Sequence, residues 1–448
     1  MRENMRYQHF TLRKPPWSSA ALILFLVAVP VCATAQAAQT AHTCLSLEKV
    51  LQLGAATDPA IGIALGEKEQ SEFRLKQIKA DWYPQISGYS RAAQGDIGLV
   101  DGRTDNQIGL IVSQRLFDFG KNKIERRAAS ASVTSAQFLL ENAELNSVQT
   151  AAVSYINVLE SQEKLQAARE RENHIADITK TVARRFAAGT LTKAEASSIE
   201  AEYAKASSLR IEFSLDLEMA RSKLLILTDQ QTPPCNNMDI IDATFRANMP
   251  PSLVDAISMS ATASPKLNAA KANLTTAKAH RKLAKRNQLP IVSAQGVSAL
   301  IYDDFRNEWN RRERIGVEVS MPIWGGGRYK AQRSEASAKL RTSNMELSLL
   351  RRSMRERVSL SWYRINAFKE LSRVRGQIVQ SYRSEASAIN KEFEAGLRTY
   401  QDVKKVEADL QDAVLSEIES QYSVRYEYLI FLALINKLQV NNLISINP

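Results

Sequence analysis

The chain has 448 residues, a formal net charge of +11, 24 % charged residues and only 7 % aromatic ones. Seventeen glycines and thirteen prolines are few for an all-β chain of this length and favour long helices. Acidic and basic residues interleave along stretches such as 164–172, the pattern of a solvated helix face and not of a nucleic-acid surface.

The first residues read as a targeting segment. Arg2, Arg6, Arg13 and Lys14 flank the apolar run 20–31, and Ala33-Thr34-Ala35 supplies a small-residue cleavage signature. This predicts a signal peptide over 1–35, removed after Ala35 or Ala37. Export argues against a nucleic-acid partner and permits a disulfide between the remaining cysteines, Cys44 and Cys235; two free thiols are the alternative. No later stretch of 18 apolar residues occurs, so entry into a membrane requires a closed β-barrel.

Beyond the targeting segment the chain is internally duplicated. Residues 47–60 align with 253–266, and Pro84 with Pro290, at an offset of 206; Gly109 and Gly316, Phe186 and Phe393, and Gly189 and Gly396 align at 207. Such ordered landmarks predict two structural repeats, 45–227 and 252–436, joined by a linker and small side segment over 228–251 and followed by a C-terminal segment over 437–448. Each repeat begins with a predicted helix (47–81 and 253–286) that stops at its proline. Hairpins over 85–117 and 291–323 come next. Ile108, Leu110 and Val112 alternate with Gly109, Ile111 and Ser113, and Ile315, Val317, Val319 and Met321 alternate with Gly316, Glu318 and Ser320, as in half-buried strands. The tips, 95–106 and 302–314, read as polar loops.

The period then changes. Predicted rods over 121–185 and 328–392 carry apolar residues at three- and four-residue spacing: Leu145, Val148, Ala152, Tyr155 and Leu159, then Ile175, Ile178 and Val182. The second copy shows Leu347, Leu350, Met354, Val358, Trp362 and Ile365, then Leu371, Val374 and Ile378, a seam of the coiled-coil kind. Glycine turns at Gly189-Thr190 and Gly396-Leu397 lead into returning helices over 191–227 and 399–435. The helical hairpins therefore span 121–227 and 328–436. No catalytic, cofactor or metal constellation is evident: His9, His42, His174 and His280 are scattered, and Gly325-Gly326-Gly327 reads as a strand-to-helix turn.

The order of helix, hairpin, rod, glycine turn and returning helix, in duplicate, resembles the TolC-like outer-membrane efflux and secretion channel family. Residues 115–121 (RLFDFGK) and 321–328 (MPIWGGGR) look like its strand-to-helix junctions, and 186–195 and 393–402 like its periplasmic turns. The resemblance implies a mainly α fold with a membrane β-barrel: a homotrimer whose four strands per protomer close twelve, above a helical tunnel. It implies a non-enzymatic exit duct of a tripartite efflux pump or type I secretion system, set in outer-membrane lipid and extending into the periplasm. Its partners would be a periplasmic adaptor and an inner-membrane transporter. By position it places an aperture at Glu195, Phe393, Arg398, Asp402 and Lys405, and adaptor-contacting tips at Gly189, Thr190, Gly396 and Leu397. Arg398 and Asp402, four apart, are expected to pair. Phe393 stands where the family usually has Tyr, and Lys405 where an acid is common. Four strands cannot close alone, which independently demands oligomerisation. A pore-less periplasmic coiled-coil scaffold is the competing reading; it has no use for strands of lipid-spanning length.

Overall fold

The computed structural model describes residues 44–97, 100–104, 106–303 and 306–438. The expected signal peptide, and the C-terminal segment beyond Leu438, lie outside the described residues. In the first half, α1 (Leu47–Thr57) and α2 (Pro59–Ala80) lead into β1 (Gln85–Arg91), β2 (Gln94–Ile97), β3 (Val100–Thr104) and β4 (Gln107–Phe117). The rod α3 (Lys121–Ala187) and its return α4 (Lys193–Thr228) come next, and α5 (Met238–Ala247) lies in the connection. The second half gives α6 (Leu253–Ala263), α7 (Pro265–Arg286), β5 (Ile291–Asp303), β6 (Glu308–Ser320), α8 (Arg328–Glu394) and α9 (Tyr400–Leu434). First residues of matching elements are offset by 206 up to the strands (Leu47 and Leu253, Gln85 and Ile291) and by 207 beyond them (Lys121 and Arg328, Lys193 and Tyr400).

The expected single helix at the start of each repeat is two helices. Asp58 and Ser264 have extended backbones and accept hydrogen bonds from the N–H groups of Ala60 and Leu267. Pro59 and Pro265 occupy the first helical turn, where a missing N–H costs nothing, yet each ends the helix before it.

The strands β1-β4-β5-β6 form one antiparallel sheet in that order. Register makes it two-faced. One row across all four strands is Ile86, Val112, Gly296 and Ile315; the adjacent row is Gln85, Ser113, Gln295 and Gly316. Ile86, Leu110, Val112, Ile315, Val317 and Val319 are all exposed on the first face, Ile315 at 92 %. The other face is predominantly polar. The hairpin tips are shorter than the expected loops: β2 and β3 form a separate two-stranded ribbon, Gln94 pairing with Thr104, and β5 and β6 pair as far as Asp303 and Glu308. Within the chain β1 and β6 are the sheet's edges.

Each rod has 67 residues, about 100 Å of helix at 1.5 Å per residue. In α3 the expected seam is buried from Val148 through Val182. In α8 Leu347, Met354, Val358 and Ile365 are buried and Leu350 and Trp362 half-buried, but Leu371, Val374 and Ile378 are exposed. From Ile365 the row continues past half-buried Ser372 to Val379, Ala386 and Phe393, in register with a seven-residue period that keeps one stripe against a neighbouring helix. Midway along the rods α5 closes a core in which Phe245 stacks on Tyr428 and Trp362 meets Phe431. Here a disulfide joins Cys44 to Cys235 with Cα atoms 4.9 Å apart, and the Cys235 carbonyl accepts a 2.7 Å bond from the Tyr155 hydroxyl.

A polar knot fixes the junction of sheet and helices. Phe119 and Gly120 both take positive φ, leaving the first N–H groups of α3 without a conventional cap. The buried Asp118 carboxylate fills that role, accepting from Gly120 N at 2.9 Å and Asn122 N at 2.7 Å. Lys121 Nζ donates to the Leu289 carbonyl and Asn122 Nδ2 to the Ile78 carbonyl, tying α3 to the ends of α2 and α7. Asp118→Ala leaves these N–H groups without their acceptor. It should lower stability by about 2 kcal/mol, read as a reduced melting temperature by circular dichroism.

Candidate functional site

The far ends of the two helical hairpins are built alike. Gly189 and Gly396 adopt left-handed φ of 72° and 82°. In each, the glycine N–H returns to the carbonyl three residues back, and the next N–H to the one five back: Thr190 to Arg185 at 3.0 Å, Leu397 to Glu392 at 2.8 Å. This Schellman pattern satisfies the last carbonyls of a helix and requires a residue tolerant of positive φ. Thr192 and Thr399 then start α4 and α9 with capping boxes, each exchanging hydrogen bonds with the third helical residue, Glu195 or Asp402.

This geometry revises the expected ion pair. Asp402 is held by Thr399, through the hydroxyl at 2.8 Å and the backbone N–H at 3.1 Å. Arg398 instead reaches Glu392 at 2.7 Å across the turn. The local cap prevails because it satisfies helix N–H groups that would otherwise lack a partner. Thr399's hydroxyl and N–H hold the Asp402 carboxyl below its ordinary pKa, and Thr192 does the same for Glu195. Lys405 is exposed, as are Gly189, Thr190, Gly396 and Leu397. Phe393 is buried, at 3 % exposure, where α3, α4, α8 and α9 meet; it packs against Tyr400, and the Arg185 guanidinium lies 4.7 Å from its ring centre.

Side chains with no local signature in the sequence link the two hairpins. Arg185, in the last turn of α3, donates at 2.8 Å to the carbonyls of both Phe393 and Glu394, so one hairpin caps the helix of the other. About three turns up the rod lies a polar clasp around two buried carboxylates, Glu202 of α4 and Glu407 of α9, each 5 % exposed. Glu407 takes hydrogen bonds from His174 at 2.9 Å and Asn390 at 2.8 Å, while Arg171 binds its backbone carbonyl at 2.7 Å. Lys205, Lys404 and Arg171 surround Glu202 at 3.0, 3.1 and 3.9 Å. His174, read from sequence as a scattered surface histidine, thus ties α3 to α9.

The clasp gives the hairpin contact a pH dependence. The hydrogen bond to Glu407 raises His174 above its ordinary 6.5 against the opposing effect of burial. Burial works to raise Glu407, but His174, Asn390 and Arg171 outweigh it and hold the carboxyl below 4.5. A raised histidine contributes fully below 6.5 and loses that contribution as pH rises through its folded value; a depressed carboxyl loses its own as pH falls through its folded value. The clasp is therefore tightest between 4.5 and 6.5. The melting-temperature gap between wild type and His174→Gln should be larger at pH 6 than at pH 8, measured by calorimetry.

A two-faced open sheet continued by long paired rods, with tied hairpin ends, defines the wall segment of an outer-membrane channel. The profile of the outer membrane efflux protein family matches residues 50–228 and 256–430, one stretch in each repeat. The outer membrane efflux protein BepC of Brucella suis is 24 % identical over 350 residues, covering 77 % of this chain and 75 % of that protein. The outer membrane protein TolC of Salmonella enteritidis is 21 % identical over 406 residues, covering 86 % and 80 %. A crystal structure of CusC superposes with a TM-score of 0.77 at 16 % identity, covering 87 % of this chain and 91 % of that one. The chain belongs to the outer membrane efflux protein family. It is an outer-membrane exit duct for efflux, extending into the periplasm, and the scaffold reading is not favoured.

Proposed function

We propose that three copies of this chain close a twelve-stranded barrel and a continuous helical tunnel. The observation that carries this reading is the open sheet: its edges β1 and β6 run in opposite directions, so β6 of one copy meets β1 of the next in antiparallel pairing. Three times four strands is a permitted even closure. The outer helices support the same arrangement. Ile211, Leu215, Met219 and Ile226 form an exposed stripe on α4, and Met345, Leu349, Leu371 and Ile378 stand exposed on α8. Apolar rows left bare in one copy are what neighbouring copies cover.

In this assembly the hairpin ends gather around the threefold axis. Phe393 and Arg185 bind the hairpins of one copy, and Glu195 and Asp402 fix the first turns of the returning helices. Arg398 and Lys405 present charge at the aperture. The tips Gly189, Thr190, Gly396 and Leu397 are the contact points for a periplasmic adaptor, which couples the duct to an inner-membrane transporter. Cargo passes through without covalent chemistry. Opening requires the hairpins to separate, which strains the Arg185 and His174–Glu407 links.

Planar-bilayer recordings test the reading. The mature protein should insert as a discrete conducting channel, and Lys405→Asp should shift the reversal potential in a salt gradient toward cation preference, because three lysines become three carboxylates around one axis. A protein without conductance would count against the duct assembly; an unchanged reversal potential would remove Lys405 from the aperture.

A further inference from the structure

Just beneath the sheet, α7 departs from its pseudo-repeat partner in charge. Helix α2 mixes Glu67, Glu69 and Glu72 with its basic residues, whereas α7 carries seven lysines and arginines and no acid. The sequence contains no Asp or Glu between Asp255 and Asp303. Since both helices take the same place in their repeats, the fold does not require this asymmetry.

The basic residues converge. Two depressions of about 780 and 650 Å³ adjoin each other along α3, sharing Gly120, Lys123 and Arg127 in their walls. Helix α7 adds Lys278, Arg281, Lys282 and Lys285, and α2 adds Lys79. Among the described residues Asp118, already engaged by the backbone of α3, is the one acid lining either depression. No ion pair within the described residues engages these lysines and arginines.

Position indicates the occupant. Phe117 and Trp82 stand at the sheet end of this groove, and Phe117 pairs in register with Val292, whose neighbour on β6 is Val319 of the exposed apolar face. The groove is therefore continuous with the face that meets lipid. Tyr83, Phe119 and Trp324 are also exposed at this level, Trp324 at 86 %, as aromatic residues are at a membrane interface. The helices lie on the periplasmic side, so the positive groove borders the headgroups of the inner leaflet.

We propose that this groove binds the phosphodiester headgroups of anionic phospholipids in the periplasmic leaflet of the outer membrane and so fixes the depth of the channel. Clustered lysines and arginines beside a bilayer attract anionic over zwitterionic lipid, an attraction that falls with salt. The inference rests on the sheet facing lipid in the proposed trimer.

The test is native mass spectrometry of the mature protein released from bilayers of phosphatidylethanolamine and phosphatidylglycerol. Wild-type trimer should retain phosphatidylglycerol over phosphatidylethanolamine by about tenfold at low salt, falling in about 0.5 M NaCl. The quadruple variant Lys278→Gln, Arg281→Gln, Lys282→Gln and Lys285→Gln should lose the preference, while Lys193→Gln with Lys391→Gln, at the hairpin ends, should keep it. An intact wild-type trimer without preference, or a quadruple variant that retains it, overturns this inference alone. A monomer overturns the assembly as well.

Discussion

Backbone N–H and C=O groups at a strand edge have no water to bind inside hydrocarbon, and each one left without a partner costs several kcal/mol. The sheet of this chain meets that constraint on its interior strands and not on β1 or β6. Its apolar face commits it to lipid, so the edges cannot simply stay wet. Much of the remaining architecture answers this demand: duplication supplies two hairpins per copy, register aligns apolar and polar rows through all four strands, and exposed apolar stripes run down the outer helices. A protomer with these properties has two strand edges that only neighbouring copies can pair.

The rods lead away from the sheet, and two kinds of interaction hold them in place. Seven-residue apolar rows pack the rods against their partners. Polar groups then link helices where apolar packing alone would let them slide: Lys121 and Asn122 at the sheet end, Arg185, His174 and Glu407 at the other. The carboxylates at these links, Asp118 and Glu407, are buried yet surrounded by donors, the condition under which such groups are tolerated. The far links join one hairpin to the other through a few hydrogen bonds set beside the apolar cluster of Ile178, Val182, Phe393 and Tyr400.

Local chemistry made much of this legible. Period-two alternation located the strands, Pro84 and Pro290 ended helices, and Gly189 and Gly396 marked the turns because a left-handed residue is needed there. Some local signals were outweighed wrongly. Asp58-Pro59 and Ser264-Pro265 are cap-and-start pairs, yet apolar periodicity on both sides suggested one helix. Leu371, Val374 and Ile378 fit three- and four-residue spacing, whereas the buried row keeps a constant step of seven. Arg398 and Asp402 have pairing distance in sequence, but Thr399 and Asp402 form a capping box that takes the carboxylate first. Other features had no local signature. Glu407 lies 233 residues from His174, and Arg185 caps a helix 208 residues away, so only the folded chain brings them together.

Cysteine cross-linking across the sheet edges tests the central claim most directly. Cysteines placed along the polar face of β1 (Ser87→Cys, Tyr89→Cys) are combined in turn with ones on β6 (Gly316→Cys, Ser320→Cys), and the mature protein is oxidised in outer-membrane preparations. Closure by three copies predicts covalent species that stop at the trimer on non-reducing gels for at least one combination. Monomers alone in every combination, or a ladder continuing past three, would contradict it.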